Sequence, residues 1–393
     1  MLPPPHPRFA AQASWLEIDA QALAHNARLL REVLGAGVRL GAVLKGNAYG
    51  HGFSQVLPLA HAACDILYVI DPYDALEVRA FEAKGGLSRR QVLVLGAVDA
   101  DEAVALARAG VDLALTDGGQ ERFVPALRAA GVRLRGHVHV DTGLGREGFT
   151  PDELPSGLGF LAAARDAIEV VGVLSHFANT EDVTEQTYAL SQLAAFDEGT
   201  RRLREALGGA GELERHIAAS AAALLLPHAR YDAVRAGISL YGLWPSNETR
   251  LSMRALTGRV PELRPVLSWR CNSQVTKWLR KGSYVGYGCT FRCPVDTRIA
   301  VLPMGYFDGY PRLLSSRAHV LVEGQRCPVL GRVMMNHVVV DVTRAQGEGA
   351  LTATLLGRDG DEQVSADQLA AWAQTINYEI VTRIGAHLRR VVV

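Results

Sequence analysis

Lys45 stands where a lysine could become a nucleophile. It follows the apolar run of residues 40–44, which is typical of a buried parallel strand, and it precedes the Gly/Asn-rich segment 46–52. Burial disfavours the charged amine, so it lowers the lysine pKa and leaves an amine that can attack a carbonyl. The alternative is an ordinary surface lysine at a strand end. The flanking Asn47, Tyr49 and His51 favour a Schiff base with a carbonyl cofactor.

Other polar residues also stand at the ends of apolar runs. Each has a structural alternative: a histidine can be a core residue, an arginine an ion-pair partner, and a serine a helix N-cap. Their shared position at strand ends nevertheless predicts one site. They are His139 within the fifth run and Asp141 after it, then Arg146, His176 after the sixth, Ser220 after the seventh and Arg235 within the eighth.

The elements that must position these residues alternate regularly between residues 38 and 242. Eight short apolar runs are separated by Ala/Leu/Arg-rich helical patterns. This alternation predicts a (β/α)8 barrel of the TIM type, in which catalytic groups lie at the C-terminal ends of the strands. An open doubly wound sheet is the alternative, but no G-x-G-x-x-G motif follows the first run. The predicted strands are residues 38–44, 66–70, 92–95, 113–116, 134–140, 170–175, 216–219 and 233–240.

After about residue 250 strand-like patterns dominate. Glu323 and Gly324 read as a hairpin turn, and Ser365 with Gln368 reads as a capping box at the start of a helix over 366–374. We expect a tail over residues 1–13, a cofactor-binding barrel over 14–250 and a β-rich domain over 251–393. The alternating segment 14–19 is a candidate strand of the second domain. Strands are predicted at 266–275, 297–303, 319–323, 329–333, 338–342 and 351–356.

Composition narrows the function class. The 393 residues carry 41 basic and 41 acidic side chains without a basic stripe, so we expect no nucleic-acid partner. Five cysteines form no disulfide or metal pattern, which favours a reducing, cytoplasmic compartment. No metal site is expected. Residues 1–13 lack the pattern of a signal peptide, and no apolar run is long enough for a membrane span.

Eight motifs, in order, resemble those of the alanine racemase family, and the resemblance extends from residue 15 to 389. It implies a pyridoxal-phosphate enzyme that interconverts L- and D-alanine, the latter for bacterial cell-wall synthesis. It also implies a homodimer whose active sites are shared between subunits, with a small amino acid as substrate. The motifs are residues 42–52, 141–146, 175–178, 235–242, 285–288, 305–310, 331–335 and 376–379.

The resemblance implies two opposed bases. Lys45 would carry the cofactor and act as one base, and Tyr287 of the second subunit would be the other. Racemisation removes an α-proton from one face and returns a proton to the opposite face, so two bases can do this without moving the substrate. Both groups have high unperturbed pKa values, and each must be lowered by its surroundings.

Further roles follow from the same resemblance. Arg235 would face the pyridine nitrogen, and His176 would bridge Arg235 and Tyr287. Arg146 and the backbone of Met335 would meet the substrate or the phenolic oxygen. The residues implied to hold the phosphate are Tyr49, Ser220, Gly237, Ile238 and Tyr378.

Three positions depart from the family pattern. Many members have a carbamylated lysine where this chain has His139, an aspartate where it has Asn336, and an asparagine where it has Ala219. A histidine does not supply the carbamate anion that orients the substrate-binding arginine, here Arg146. Two hypotheses follow: a chloride ion replaces the anion, or a looser site accepts substrates larger than alanine.

Alternative functions make different demands on the sequence. A broader-specificity amino-acid racemase, for example one acting on serine, would share every motif. A non-catalytic pyridoxal-phosphate carrier would lack the second domain and Tyr287. A decarboxylase of the related barrel fold would need an acidic residue in the place of Arg235. The sequence therefore favours a racemase, with alanine as the main substrate.

Overall fold

Two compact units make up the computed structural model, which describes residues 13–181, 184–209 and 212–393. The first, the barrel unit, contains residues 24–45 and 57–263. The second, the β unit, contains residues 13–23, 46–56 and 264–393. The expected tail over residues 1–13 lies, apart from residue 13, outside the described residues.

The barrel unit is built on eight parallel strands. Each strand pairs with the next in the chain, and the first also pairs with the eighth. A bridge between Ala219 and Arg235 joins the seventh and eighth strands, so the sheet closes. The predicted barrel is confirmed, and the open sheet is wrong. The barrel strands are Arg39–Val43, Ile66–Val69, Gln91–Val94, Asp112–Leu115, Leu134–His139, Ile168–Leu174, Glu214–His216 and Ala233–Ala236.

Helices separate these strands, and several begin and end at recognisable caps. Asp99 and Glu102 form a capping box at the start of one helix, and Gly110 ends it in the left-handed conformation (φ 62°). None of the described helices is both long and apolar enough to span a bilayer. The helices up to residue 257 are Ala20–Leu34, Phe53–Ala63, Pro72–Gly85, Ala100–Ala109, Phe123–Ala130, Leu154–Ala163, Thr187–Ala206, Ser220–Leu225 and Asn247–Thr257, with 3-10 turns at Gly118–Arg122 and Pro227–Ala229.

The β unit contains a large mixed sheet and two smaller sheets. Strand Ser14–Ile18 pairs with Leu267–Asn272 and Arg389–Val392, so the first strand of the chain lies in this unit. The large sheet also contains His319–Val322, Gln325–Pro328, Thr352–Asp359 and Glu362–Val364; the smaller sheets are Val275–Leu279, Thr297–Leu302 and Val338–Asp341, and Tyr284–Val285 and Phe291–Arg292. Helices Ala366–Ala373 and Asn377–Thr382 and 3-10 turns Tyr287–Cys289, Tyr306–Asp308 and Arg312–Leu314 complete the unit.

In the β unit, the predicted turn and helix cap are confirmed, but one predicted strand is wrong. Glu323 and Gly324 form the predicted hairpin turn with φ 52° and 71°, and the capping box of Ser365 and Gln368 is present. The predicted strand 329–333 is wrong. Only Val329 makes a bridge, because Gly331 adopts φ 70° and ends the extended conformation.

Candidate active site

Lys45 follows the first barrel strand, Arg39–Val43. Partial desolvation lowers the pKa of its amine, and the positive charges of Arg146 and Arg235 lower it further. The lysine keeps an exposed surface, so it is less buried than its apolar strand suggested. The lowered pKa favours the neutral amine that a carbonyl cofactor requires.

A left-handed turn begins directly after Lys45. Gly46, Asn47, Ala48 and Tyr49 have φ values of 63°, 55°, 52° and 53°. Non-glycine residues rarely adopt this conformation, and consecutive ones are rarer still. Within the β unit, Asn47 stabilises the turn because its Oδ1 accepts a hydrogen bond from the Phe53 amide at 2.7 Å. Strain of this kind clusters at functional sites.

Arg235 is the last residue but one of the eighth barrel strand, and its guanidinium is held inside the barrel. The residue is 4% exposed. Its Nη1 donates to His216 Nδ1 and the His216 carbonyl, both at 2.8 Å, and its Nη2 donates to the Ser175 carbonyl at 2.6 Å and His176 Nδ1 at 3.0 Å. These acceptors fix the plane of the group. Among the described residues none accepts from Nε, which is therefore the free donor.

Two histidines beside this arginine are held neutral. Burial lowers the pKa of both His176 and His139 to about 3, and the charges of Arg235 and Arg146 act in the same direction. His176 therefore accepts from Arg235 at Nδ1 and has its proton on Nε2. His139 is neutral and adds no anion beside Arg146.

Arg146 lies on a loop organised by Asp141. The Asp141 Oδ1 accepts hydrogen bonds from the amides of Gly143, Leu144 and Gly145 at 2.9, 3.0 and 3.2 Å. The Arg146 side chain is 55% exposed, and its ion pair is with Glu147 at 3.6 Å. An exposed pair of this length contributes little to orientation. Within the barrel unit, Arg146 is thus positioned mainly by its loop.

The hydroxyl oxygen of Ser220 is close to several hydrogen-bond donors from the turn that follows the eighth strand. Its hydroxyl oxygen lies 3.0 Å from the Gly237 amide, 3.4 Å from the Ser239 amide and 3.0 Å from the Ser239 hydroxyl. Ala219 is the N-cap of the helix, so the N-cap role considered for Ser220 is wrong: Ser220 is the first helical residue and turns towards Gly237. Ile238 is buried in the same turn, and its carbonyl accepts a hydrogen bond from the Leu243 amide.

The remaining predicted residues lie in the β unit. Tyr49 and Tyr378 bring their rings to a centroid distance of 6.2 Å, and burial raises the pKa of Tyr49 to about 12. Tyr287 is 72% exposed and Met335 is 54% exposed. Both line a cleft of about 520 Å³ that also contains Arg332. The Met335 carbonyl accepts from the Phe307 amide at 3.0 Å.

Sequence reasoning missed several residues that hold the site. His216 is fully buried and accepts a hydrogen bond from Arg235. Gln192, also fully buried, donates to Thr142 and to the His176 carbonyl at 3.2 Å and accepts from the Ala178 amide at 2.9 Å. His216 could have been found as a polar residue at a strand end, but Gln192 lies on a helix and carries no such signal.

This chain is similar to known proteins over almost its whole length. The model of the alanine racemase N-terminal domain matches residues 18–245, and that of the C-terminal domain matches residues 266–392. The alanine racemase of Leptospira interrogans serovar copenhageni is 36% identical over 389 residues, which is 97% of this chain and 96% of that protein. That of Symbiobacterium thermophilum is 38% identical over 386 residues, or 96% of each.

Solved structures of racemases are also similar to this protein. The alanine racemase of Streptomyces coelicolor A3(2) superposes with a TM-score of 0.87 at 34% identity, covering 97% of this chain and 98% of that one. A histidine racemase from Leuconostoc mesenteroides subsp. sake superposes with a TM-score of 0.83 at 26% identity over 98% of both chains. With both domains matched and the barrel closed as predicted, this chain belongs to the alanine racemase family.

Proposed function

We propose that this protein interconverts L- and D-alanine with pyridoxal phosphate and two bases, Lys45 and Tyr287. The observation that carries the proposal is Lys45 at the end of the first barrel strand, with its pKa lowered by desolvation and by Arg146 and Arg235. Membership of the alanine racemase family and the identity to named alanine racemases support the substrate.

The residues present fit the cofactor at two points. Three donors converge on the Ser220 hydroxyl, whose oxygen has two lone pairs, so the turn has a surplus donor for an anion such as a phosphate. The Nη groups of Arg235 are fully engaged, and no described residue accepts from its Nε, which suits one acceptor such as a pyridine nitrogen. We propose that Gly237, Ile238, Tyr49 and Tyr378 complete the phosphate site.

The chemistry then divides between the cofactor and the chain. Bound pyridoxal phosphate supplies an electron sink for the charge that α-proton removal leaves. Lys45 Nζ exchanges the proton on one face and the Tyr287 phenolic oxygen exchanges it on the other. Arg235 remains protonated, so it offers a hydrogen bond without giving up a proton. Arg146 and the Met335 amide bind and orient the amino acid.

We also propose that Tyr287 is supplied by the second subunit of a homodimer, as the family resemblance implies. The five cysteines are all free thiols, which supports a reducing, cytoplasmic location. D-alanine made there would serve cell-wall synthesis.

The proposal is tested by a chiral assay of the purified protein with added pyridoxal phosphate. L-alanine and D-alanine should each approach a racemic mixture, and Lys45→Ala should abolish the reaction. A wild-type protein that leaves both enantiomers unchanged would overturn the proposal.

A broader amino-acid racemase is the second candidate. It is favoured by the neutral His139, which leaves Arg146 with the exposed Glu147 as its ion-pair partner, and by the similarity to a histidine racemase. The same assay with serine and histidine separates the two. A kcat/KM for either that equals or exceeds the alanine value would establish the broader activity. A chloride ion beside Arg146 would instead appear as an anomalous peak after a bromide soak.

A further inference from the structure

A chain of buried side chains crosses the interior of the barrel unit beneath Arg235. Asp112, His137, His216 and Arg235 are 2%, 0%, 0% and 4% exposed. His137 Nε2 lies 3.3 Å from the Asp112 Oδ2, His137 Nδ1 lies 3.0 Å from His216 Nε2, and His216 Nδ1 lies 2.8 Å from Arg235 Nη1. The four groups connect the opposite ends of the strands without an intervening gap.

The two ends of this row of four side chains, Asp112 and Arg235, fix the position of every proton within it. Arginine only donates, so His216 Nδ1 must be a bare acceptor. The proton of neutral His216 is therefore on Nε2, and it is donated to His137 Nδ1. That nitrogen is then an acceptor, so the His137 proton is on Nε2 and is donated to Asp112. A doubly protonated His137 would place two donors against each other at His216.

Asp112 is well placed to remain an acceptor. Burial acts to raise its pKa, but hydrogen bonds from His137 and Arg135 outweigh burial and lower it, so the carboxylate stays ionised. Oδ1 accepts from Arg135 at 2.8 Å and Oδ2 accepts from Gln91 at 2.9 Å. At the other end, burial and the charge of Arg235 hold the pKa of His216 well below its ordinary value, which keeps that ring neutral.

We infer that Asp112 is a positioning residue for the cofactor. Through His137 and His216 it accepts the last proton of the row and so stabilises the tautomer that presents a lone pair to Arg235, which holds in place the guanidinium whose Nε would face the pyridine nitrogen. This inference rests on the proposed cofactor role of Arg235. Asp112 is separated from Arg235 by two imidazoles, so it acts on the guanidinium through His137 and His216 and not by direct contact.

The first test is neutron diffraction of the wild-type holoenzyme. Deuterium should appear on Nε2 of both His137 and His216 and on Nδ1 of neither. Deuterium on Nδ1 of His216 would overturn the inference, and this measurement needs no variant. The measurement also does not depend on activity. A protein that fails to racemise alanine would contradict the proposed function, whereas the wrong histidine tautomers would contradict this inference.

The second test compares two carboxylates with similar partners. Glu82, 2% exposed and outside this chain of groups, lies 3.2 Å from His61 and 2.8 Å from Arg79. Asp112→Leu should raise the dissociation constant for pyridoxal phosphate by about 10- to 100-fold, the range found when a residue that orients a metal ligand is lost. Glu82→Leu should lower Tm but leave that constant unchanged.

A conservative variant separates the acceptor from the charge. In Asp112→Asn the amide oxygen can still accept from His137, and the half-exposed Arg135 can turn away from the amide nitrogen. Its cofactor affinity should lie within about threefold of the wild type. Equal losses of affinity in Asp112→Leu and Glu82→Leu would show a merely structural effect and reject the inference. If Asp112→Leu does not fold, a large loss in Asp112→Asn rejects it.

Discussion

Arg235 carries a permanent charge inside the barrel, and all of its hydrogen bonds among the described residues go to carbonyl oxygens and imidazole nitrogens. Such an environment keeps His139 and His176 neutral, because a second positive charge there would be both desolvated and repelled. The sequence identified Arg235, His139 and His176 as candidate site residues. Their protonation states depend on neighbours that lie up to 96 positions away, such as His139 and Arg235.

Tyr287→Phe tests the second base. General acid–base groups contribute about 10²- to 10⁴-fold, so kcat should fall by that factor in both directions. Exchange of the α-proton with solvent should survive for one enantiomer only, because Lys45 serves one face. Tyr284→Phe, at a neighbouring exposed tyrosine, is the control. Full racemisation by Tyr287→Phe would exclude the phenol as a base.

His139 should make stability depend on pH. Its pKa is about 3 in the folded protein against 6.5 as the ordinary value, so between these values the unfolded chain binds a proton that the folded chain does not. Stability contributed by this group is therefore lost as the pH falls below 6.5. From pH 8 to pH 5 the wild type should lose about 2 kcal/mol more unfolding free energy than His139→Leu.

Denaturant titrations at the two pH values measure this difference. His228→Leu, at an exposed position, provides a control for the loss of one histidine. Parallel pH dependence of wild type and His139→Leu would contradict a neutral, buried His139.

At the scale of elements, the first barrel strand must bring Lys45 to the end of the barrel while making room for Tyr68. Gly41 makes that room: a Cβ there would lie 2.1 Å from Tyr68 Cε2 and 3.0 Å from the Val234 carbonyl. The Tyr68 ring in turn lies 5.6 Å from the His216 ring, so Tyr68 separates the first strand from the buried row of groups under Arg235.

Gly41→Ala should therefore destabilise the protein by about 1–3 kcal/mol, because an added methyl group must displace a fully buried ring. Gly159→Ala is a matched change on a helix in open space, and it should be neutral or stabilising by up to about 1 kcal/mol. Tm and chemical denaturation measure both variants. A Gly41→Ala protein as stable as the wild type would show that Tyr68 can move freely.

At the scale of the whole molecule, each compact unit is built from segments that are not contiguous in the sequence. Strand Ser14–Ile18 and residues 46–56 belong to the β unit, although helical and strand segments of the barrel unit separate them. Lys45 is the last residue of its barrel segment, and Gly46 is the first of the β-unit segment.

Mixed dimers test whether Tyr287 acts across subunits. Alone, Lys45→Ala should be inactive, and Tyr287→Phe should keep at most about 1% of the wild-type activity. In a heterodimer, one site would combine the intact Lys45 of one subunit with the intact Tyr287 of the other. After unfolding and joint refolding, about a quarter of wild-type activity should return, since half of the dimers are mixed and one of their two sites is intact. No recovery, with dimers verified by mass, would place both bases on one chain.

The sequence by itself predicted the proposed site residues, and it determined the number and order of the barrel strands and the helix and hairpin caps such as Ser365 and Glu323. These depend on short-range periodicity and turn chemistry, which neighbouring residues specify. Only the tertiary structure decided that Ser14–Ile18 joins the β unit, that Ser220 faces Gly237 rather than capping its helix, and that Asp112 connects to Arg235 through two histidines. Those contacts join residues far apart in the chain, and the direction of each hydrogen bond follows from partners that only the closed barrel brings together.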